Sequence, residues 1–96
     1  MAIGTSTVSF GSTPTSEATV VVTGQTTIAS GAYIEAFMAQ DDTTVDNNAT
    51  DHSFAAVSFR LAAGSLVVGT GFTVFVTTIA GEATGDFKIR WVWTNP

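Results

Sequence analysis

One histidine and a group of carboxylates are the residues of this chain best suited to chemistry. The stretch from Asp41 to Asp51 holds four aspartates and no cation, and His52 follows it directly. Carboxylate and carbonyl oxygens are the usual ligands of hard cations, so Asp46, Asp51 and His52 are the weak candidates for metal ligands. Their spacing lacks the turn glycine and the terminal glutamate of an EF-hand loop. We therefore expect a solvated loop and no metal site.

The residues around His52 do not predict a catalytic site. Nucleophilic catalysis needs a nucleophile, a base and an orienting group within reach of one another. His52 stands between Asp51 and Ser53, but adjacent residues of a strand point to opposite faces. The segment Gly69-Thr70-Gly71 matches only the first half of the G-x-G-x-x-G motif that binds dinucleotides. That motif is followed by a helix, whereas this segment is followed by a strand pattern. We expect a protein that is not an enzyme and that carries no cofactor.

Charged side chains are scarce in this sequence. They make up 11% of the residues, while 45% are hydrophobic, against about 25% charged residues in ordinary soluble domains. The net charge is −5 and the cations are Arg60, Lys88 and Arg90, which argues against nucleic acid and anionic membranes as partners. The low charge predicts that an assembly buries part of the surface. The alternative is a monomer wetted by its many Thr and Ser hydroxyls.

Length and segment composition limit the organisation of the chain. A chain of 96 residues is expected to form a single domain over 1–96. Met1 to Thr5 lacks the basic start and apolar run of a signal peptide, and Thr or Gly interrupts every apolar stretch, so we expect no membrane span. There is no cysteine, so disulfides do not enter the argument. Synthesis in a cytoplasm is the expectation.

Alternation of apolar and polar residues indicates β-strands along the whole chain. The strand patterns cover residues 7–10, 17–23, 32–40, 55–61, 66–68, 72–79 and 86–94. Over 55–61 the alternation competes with a short alanine-rich helix, and we favour the strand; Ala62 to Ser65 is predicted to turn the chain. The pattern predicts an all-β fold, an antiparallel β-sandwich that is jelly-roll-like, with about seven or eight short strands.

The last strand pattern predicts the centre of the core. Its face of Phe87, Ile89, Trp91 and Trp93 is expected to be buried, whereas the pattern over 72–79 is apolar in part on both faces, with Phe72, Val74 and Val76 on one and Phe75 and Ile79 on the other. Exposed tryptophans would instead stack on a sugar ring. The interface candidates are Glu35, Arg60, Phe75, Lys88 and Arg90; the charged residues among them form either solvated surface pairs or salt bridges between subunits. Glu17 and Glu35 are candidate cross-strand partners for the three cations.

Several short segments, in order along the chain, resemble small proteins encoded among the virion structural genes of tailed bacteriophages. The resemblance spans nearly all of the sequence. The segments that carry it are Phe10-Gly11, Ile34-Glu35-Ala36, Asp51-His52, Gly69-Thr70-Gly71-Phe72-Thr73-Val74, and Gly85-Asp86-Phe87 to Trp91-Val92-Trp93.

The resemblance implies a structural component of the virion with no catalytic residues. Stand-alone proteins of this size in that setting are often capsid decoration or cement proteins, commonly trimeric, which bind the outer shell and stabilise it. The implied partners are therefore the major capsid protein or another virion protein and further copies of this chain. A small tail, fibre or spike component that recognises a host receptor or glycan is the alternative, and a non-viral carbohydrate-binding sandwich is a third hypothesis.

Overall fold

The computed structural model describes residues 1–39, 41, 43–44, 46–79 and 81–96. Gln40, Asp42, Val45 and Ala80 lie outside the described residues, and with them the end of the predicted strand 32–40 and part of the acidic stretch. The elements are β1 (Ala2–Ser9), β2 (Glu17–Val22), β3 (Tyr33–Phe37), α1 (Ala49–Ser58), β4 (Phe59–Val67), β5 (Gly71–Thr78) and β6 (Asp86–Thr94).

Two antiparallel three-stranded sheets pack together as a β-sandwich, which confirms the predicted fold class. Sheet 1 has the strand order β1-β6-β3 and sheet 2 has the order β2-β5-β4. The described residues therefore form six strands instead of the predicted seven or eight. Because a jelly roll has eight strands, the finer description is a six-stranded sandwich.

The hydrophobic core lies between the two sheets and contains the aromatic face predicted from the last strand pattern, together with the Phe72, Val74 and Val76 face of the strand before it. Its buried apolar side chains are Val8, Phe10, Val22, Ile28, Met38, Ala55, Phe72, Val74, Val76, Phe87, Ile89, Trp91 and Trp93. Aromatic rings meet at short range, with centroids 5.2 Å apart for Phe59 and Phe87 and 5.5 Å apart for Phe72 and Trp91. Alternate residues of each strand face this core, so the remaining residues form two outer faces.

Two connections between the sheets run side by side and are joined by backbone hydrogen bonds. The β1–β2 connection lies against the β5–β6 connection, where Phe10 N donates to Gly85 O at 2.9 Å and Thr15 forms an antiparallel bridge with Ala83. The backbone groups of these connecting segments are thereby paired. As a result, the antiparallel ladder between β1 and β6 continues toward the ladder between β2 and β5.

The segment after the acidic stretch is a helix, and the prediction of a strand over 55–61 was wrong for its first half. Helix α1 begins after Asn48, whose side chain accepts a hydrogen bond from Asp51 N, while the Asp51 carboxylate accepts one from Asn48 N, each at 3.0 Å. This reciprocal capping box satisfies two free backbone donors at a helix start. Among the described residues, no helix has the length and apolar character needed to cross a membrane.

Strand β4 continues through the turn predicted at residues 62–65. A register shift between Gly64 and Val67 interrupts its pairing with β5, and Ser65 adopts a φ of 51°. The glycine and serine that suggested a turn therefore form a β-bulge, which bends a strand without ending it. The chain turns at residues 68–70 instead, where Thr70 N donates to Val67 O at 3.0 Å.

Candidate interaction surfaces

The five interface candidates lie on the two opposite outer faces of the sandwich. Glu35, Lys88 and Arg90 lie on the outer face of sheet 1, whereas Arg60 and Phe75 lie on the outer face of sheet 2. The structure therefore does not bring them into one site. Each group is a separate candidate surface.

The outer face of sheet 1 combines large apolar side chains with three charges. Ile3 is 76% exposed, Tyr33 is 68% exposed and Phe37 is 44% exposed. In the strand register, Glu35 lies opposite Val92, and Phe37 lies opposite Arg90. A groove of about 540 Å³ opens here, lined by Ile3, Gly4, Thr5, Phe37, Asp41, Arg90, Trp91 and Val92. This face presents an apolar surface bordered by charges, which is typical of interaction sites.

The outer face of sheet 2 is centred on β5 and carries a single ring. Phe75 is 40% exposed and lies between Thr19 of β2 and Ala62 of β4. In the next row of the sheet, Thr77 lies between Glu17 and Arg60. The charged pair thus flanks the central strand at one end of the face. A shallow groove of about 320 Å³ follows β2 and β5, lined by Glu17, Ala18, Thr19, Phe75, Val76 and Thr77.

Two of the candidate metal ligands instead complete the edge of β6. Strand β3 ends at Phe37, opposite Arg90, so within the described residues no strand pairs with the start of β6 on that side. The Asp46 carboxylate accepts a hydrogen bond from Asp86 N at 3.2 Å, and His52 Nε2 accepts one from Lys88 N at 2.9 Å. These side chains satisfy strand donors that would otherwise be unpaired.

His52 is fully buried, and both of its ring nitrogens are engaged. Its Nδ1 lies 2.9 Å from Asn48 O, and its ring packs against Phe87 with centroids 5.2 Å apart. Because Nε2 accepts the hydrogen bond of the Lys88 amide, the ring hydrogen lies on Nδ1, which donates a hydrogen bond to the Asn48 carbonyl. The histidine therefore connects helix α1 to β6 through both of its ring nitrogens.

Two further acidic residues of this region, Asp41 and Asp51, also have local hydrogen-bonding partners. The Asp51 carboxylate belongs to the helix cap. Asp41 Oδ1 accepts hydrogen bonds from Thr43 Oγ1 at 2.5 Å and Thr43 N at 2.8 Å, and these bonds lower the pKa of the Asp41 carboxyl below its ordinary value. Within the described part of the chain, no group of three or more His, Cys, Asp or Glu residues is arranged to hold a metal ion.

Both tryptophans lie in the core, as their phase with Phe87 predicted. Trp91 is 7% exposed and Trp93 is 5% exposed. Their indole nitrogens donate to Ser6 Oγ at 3.2 Å and to Gln25 Oε1 at 2.9 Å, respectively. Stacking on a sugar ring needs an exposed face, so these indoles do not form a carbohydrate platform.

Sequence reasoning missed the surface of helix α1, where two further apolar residues are exposed. Phe54 is 70% exposed and Val57 is 78% exposed. In a strand 55–61, Val57 would face the core together with Phe59. In the observed helix, the buried positions are His52 and Ala55. The capping pair Asn48 and Asp51 was the signal in the sequence that could have revealed the helix.

Comparisons with known proteins give no relative from which a function can be transferred. No protein-family model, no curated protein and no solved structure matches the chain.

Proposed function

We propose that this chain is a bacteriophage virion structural protein, a capsid decoration protein that binds the outer shell as an oligomer and stabilises it. The observation that supports this most is the amount of large apolar side chain on the surface. These exposed residues are Met1, Ile3, Val21, Tyr33, Phe37, Phe54, Val57, Val67, Val68, Phe75 and Ile79. Exposed apolar side chains mark contacts with other proteins where they form a patch, as Ile3 and Phe37 do along one groove of sheet 1.

The low charge of the chain supports the same proposal. Three Lys and Arg residues and eight Asp and Glu residues have to keep the whole surface of the domain hydrated. The centres of protein interfaces are depleted in charged residues and enriched in aromatic ones. A surface with few charges and several exposed rings is therefore more typical of a protein in an assembly than of an isolated monomer.

The resemblance to phage virion proteins adds the setting. Most of the residues that carry it are buried core positions or turns: Phe10, His52, Phe72, Phe87, Trp91 and Trp93 are all buried, and Gly69 lies in the β4–β5 turn. The resemblance therefore rests on residues that stabilise the fold, while the proposed role in an assembly rests on the exposed apolar side chains. The two observations are independent of each other.

The outer face of sheet 1 is the surface that we expect to meet the shell. It holds three exposed apolar side chains, Ile3, Tyr33 and Phe37, beside the groove of about 540 Å³. Glu35, Lys88 and Arg90 supply the polar border that gives an interface its orientation. An apolar side chain of a capsid protein would fill the groove and be desolvated there.

Addition of the purified chain to particles that lack it tests the proposal. We expect the chain to cosediment with the particles in hundreds of copies and to raise the temperature at which they release DNA. The Tyr33→Ser variant should bind about tenfold more weakly, because aromatic residues supply much of the energy of an interface. Thr26→Ser, an exposed change outside both sheets, is the control and should bind like the unchanged chain.

Two results would contradict this proposal. If the chain has no affinity for the shell, a decoration role is excluded. If only tens of copies are present and they lie at the tail, the alternative of a tail, fibre or spike component takes its place. In that case the purified chain should bind host cells.

A further inference from the structure

The outer face of sheet 2 has a near-symmetric layout about its central strand. Glu17 on β2 and Arg60 on β4 both lie in the row of Thr77 on β5. Neighbouring strands are about 4.8 Å apart, so the two charges are placed at equal distances on either side of β5. Both side chains are exposed.

This layout is complementary to a second copy of itself. A two-fold axis along β5, in the plane of a face-to-face contact, exchanges the positions of the two outer strands. It therefore places Glu17 of one chain over Arg60 of the other, and the second Glu17 over the first Arg60. In such an isologous contact each pair occurs twice.

Side-chain size follows the same exchange. On β2 the outward residues after Glu17 are Thr19 and the 65% exposed Val21. In the same rows β4 presents the small residues Ala62 and Gly64. The two-fold operation places Thr19 of one β2 over the smaller Ala62 of the other β4, while the Phe75 ring lies beside Gly64 in the row of Val21.

The centre of this face has the composition of an interface core. Phe75 and Thr73 lie along the axis on β5, and apart from Glu17 and Arg60 the outward residues of the three paired rows are uncharged. Sheets that pack with their strands roughly aligned are a common arrangement in β-sandwiches. An aromatic residue at the centre, surrounded by residues that exclude water, supplies much of the binding energy.

We propose that two copies of this chain associate through the outer faces of sheet 2, with reciprocal Glu17–Arg60 ion pairs around a central pair of Phe75 rings. The contact gives a dimer, whereas the resemblance to phage proteins implies a trimer. It does not depend on the proposed function, because it concerns the purified chain alone. It also leaves the outer face of sheet 1 free for a different partner.

Charge reversal tests this contact through the mass of the assembly. Sedimentation equilibrium of the unchanged chain should give the mass of two chains. Glu17→Arg and Arg60→Glu should each give the mass of one chain, because each variant places like charges opposite each other twice. An equimolar mixture of the two variants should regain the two-chain mass, since every facing pair then has opposite signs. Native mass spectrometry should show one copy of each variant in that species.

Matched changes on the other face provide the control. Glu35→Arg and Arg90→Glu reverse the same types of charge on sheet 1 and should leave the two-chain mass unchanged. The proposal is overturned if the unchanged chain sediments as a monomer or a trimer. It is also overturned if the mixture of Glu17→Arg and Arg60→Glu stays monomeric, or if the sheet 1 variants are the ones that dissociate. None of these results depends on binding to a viral shell.

Discussion

The indole of Trp91 occupies the space that Gly4 leaves open on the neighbouring strand. The two residues are direct partners in the β1–β6 ladder, and a Cβ added to Gly4 would lie 2.6 Å from Trp91 Cη2. The ring is held on other sides by Phe72 at 5.5 Å and by a hydrogen bond from Nε1 to Ser6 Oγ. Since the interior is close-packed, the ring has little room to move.

We therefore expect Gly4→Ala to destabilise the fold, although alanine generally favours ordered backbone over glycine. Overpacking of a well-packed core costs about 1–3 kcal/mol, and urea denaturation would measure it as a lower free energy of unfolding. Gly64→Ala is the matched control on β4, because a Cβ there would lie an ordinary 3.7 Å from Phe75 Cε2. Equal stabilities of the two variants would mean that the Trp91 ring relocates without cost.

At the scale of elements, the start of β6 depends on helix α1 instead of a third strand. His52 Nε2 is the acceptor for the Lys88 amide, at 2.9 Å, and Asn47 Nδ2 donates to Asp86 O at 2.8 Å. The helix is itself fixed by the reciprocal cap of Asn48 and Asp51. Loss of the acceptor on His52 would leave a strand donor buried without a partner.

We expect His52→Leu to lower the free energy of unfolding by about 1–3 kcal/mol, the cost of an unsatisfied buried donor. Leucine keeps most of the apolar contact with Phe87, so the loss reports mainly on the hydrogen bonds. Compared with the unchanged chain, amide hydrogen exchange in this variant should accelerate more at Lys88 than in the centre of β6. Thr50→Ala, an exposed change on the same helix, serves as the comparison. If exchange at Lys88 were as slow in His52→Leu as in Thr50→Ala, the histidine would not be holding this edge.

Strands were predictable from the sequence where their alternation was strong, and misassigned where another signal competed with it. The buried face of β6 follows directly from the alternation of Phe87 to Trp93, whereas β5 was predictable as a strand but has apolar residues on both faces, so its buried face was not. Over residues 55–61 the alternation continues, although Phe54 and Val57 are exposed on a helix. Local capping and the contacts of His52 with β6 outweigh the period-two pattern there.

The candidate surfaces were less predictable than the strands. The sequence shows that Glu35, Arg60, Phe75, Lys88 and Arg90 lie outside the core, but not that they are divided between two faces. That division follows from strand order, which places β3 with β6 and β4 with β5. Strand order depends on long-range pairing, and the alternation within a single strand carries no record of it.

For the molecule as a whole, exposed apolar side chains on both faces and on helix α1 compete for partners. Charged side chains make up only 11% of the residues, whereas soluble domains interrupt their exposed apolar surface with many interspersed charges. Contacts through the two sheet faces account for Tyr33, Phe37 and Phe75 but leave the helix uncovered. Phe54 and Val57 on α1 are therefore expected to drive additional, less specific association in the purified protein.

We expect the double variant Phe54→Ser, Val57→Ser to reduce this association without weakening the fold. Serine has nearly the same helix propensity as phenylalanine and valine, and substitutions at exposed sites usually change stability by less than about 0.5 kcal/mol. Light scattering at increasing concentration should show less large aggregate, while urea denaturation gives an unchanged free energy of unfolding. Ala56→Ser, also exposed on α1, changes polarity without removing a large side chain and should aggregate like the unchanged chain. A clear loss of stability in the double variant would show that these side chains are covered in solution, because only a buried phenylalanine or valine stabilises a fold by more than this amount.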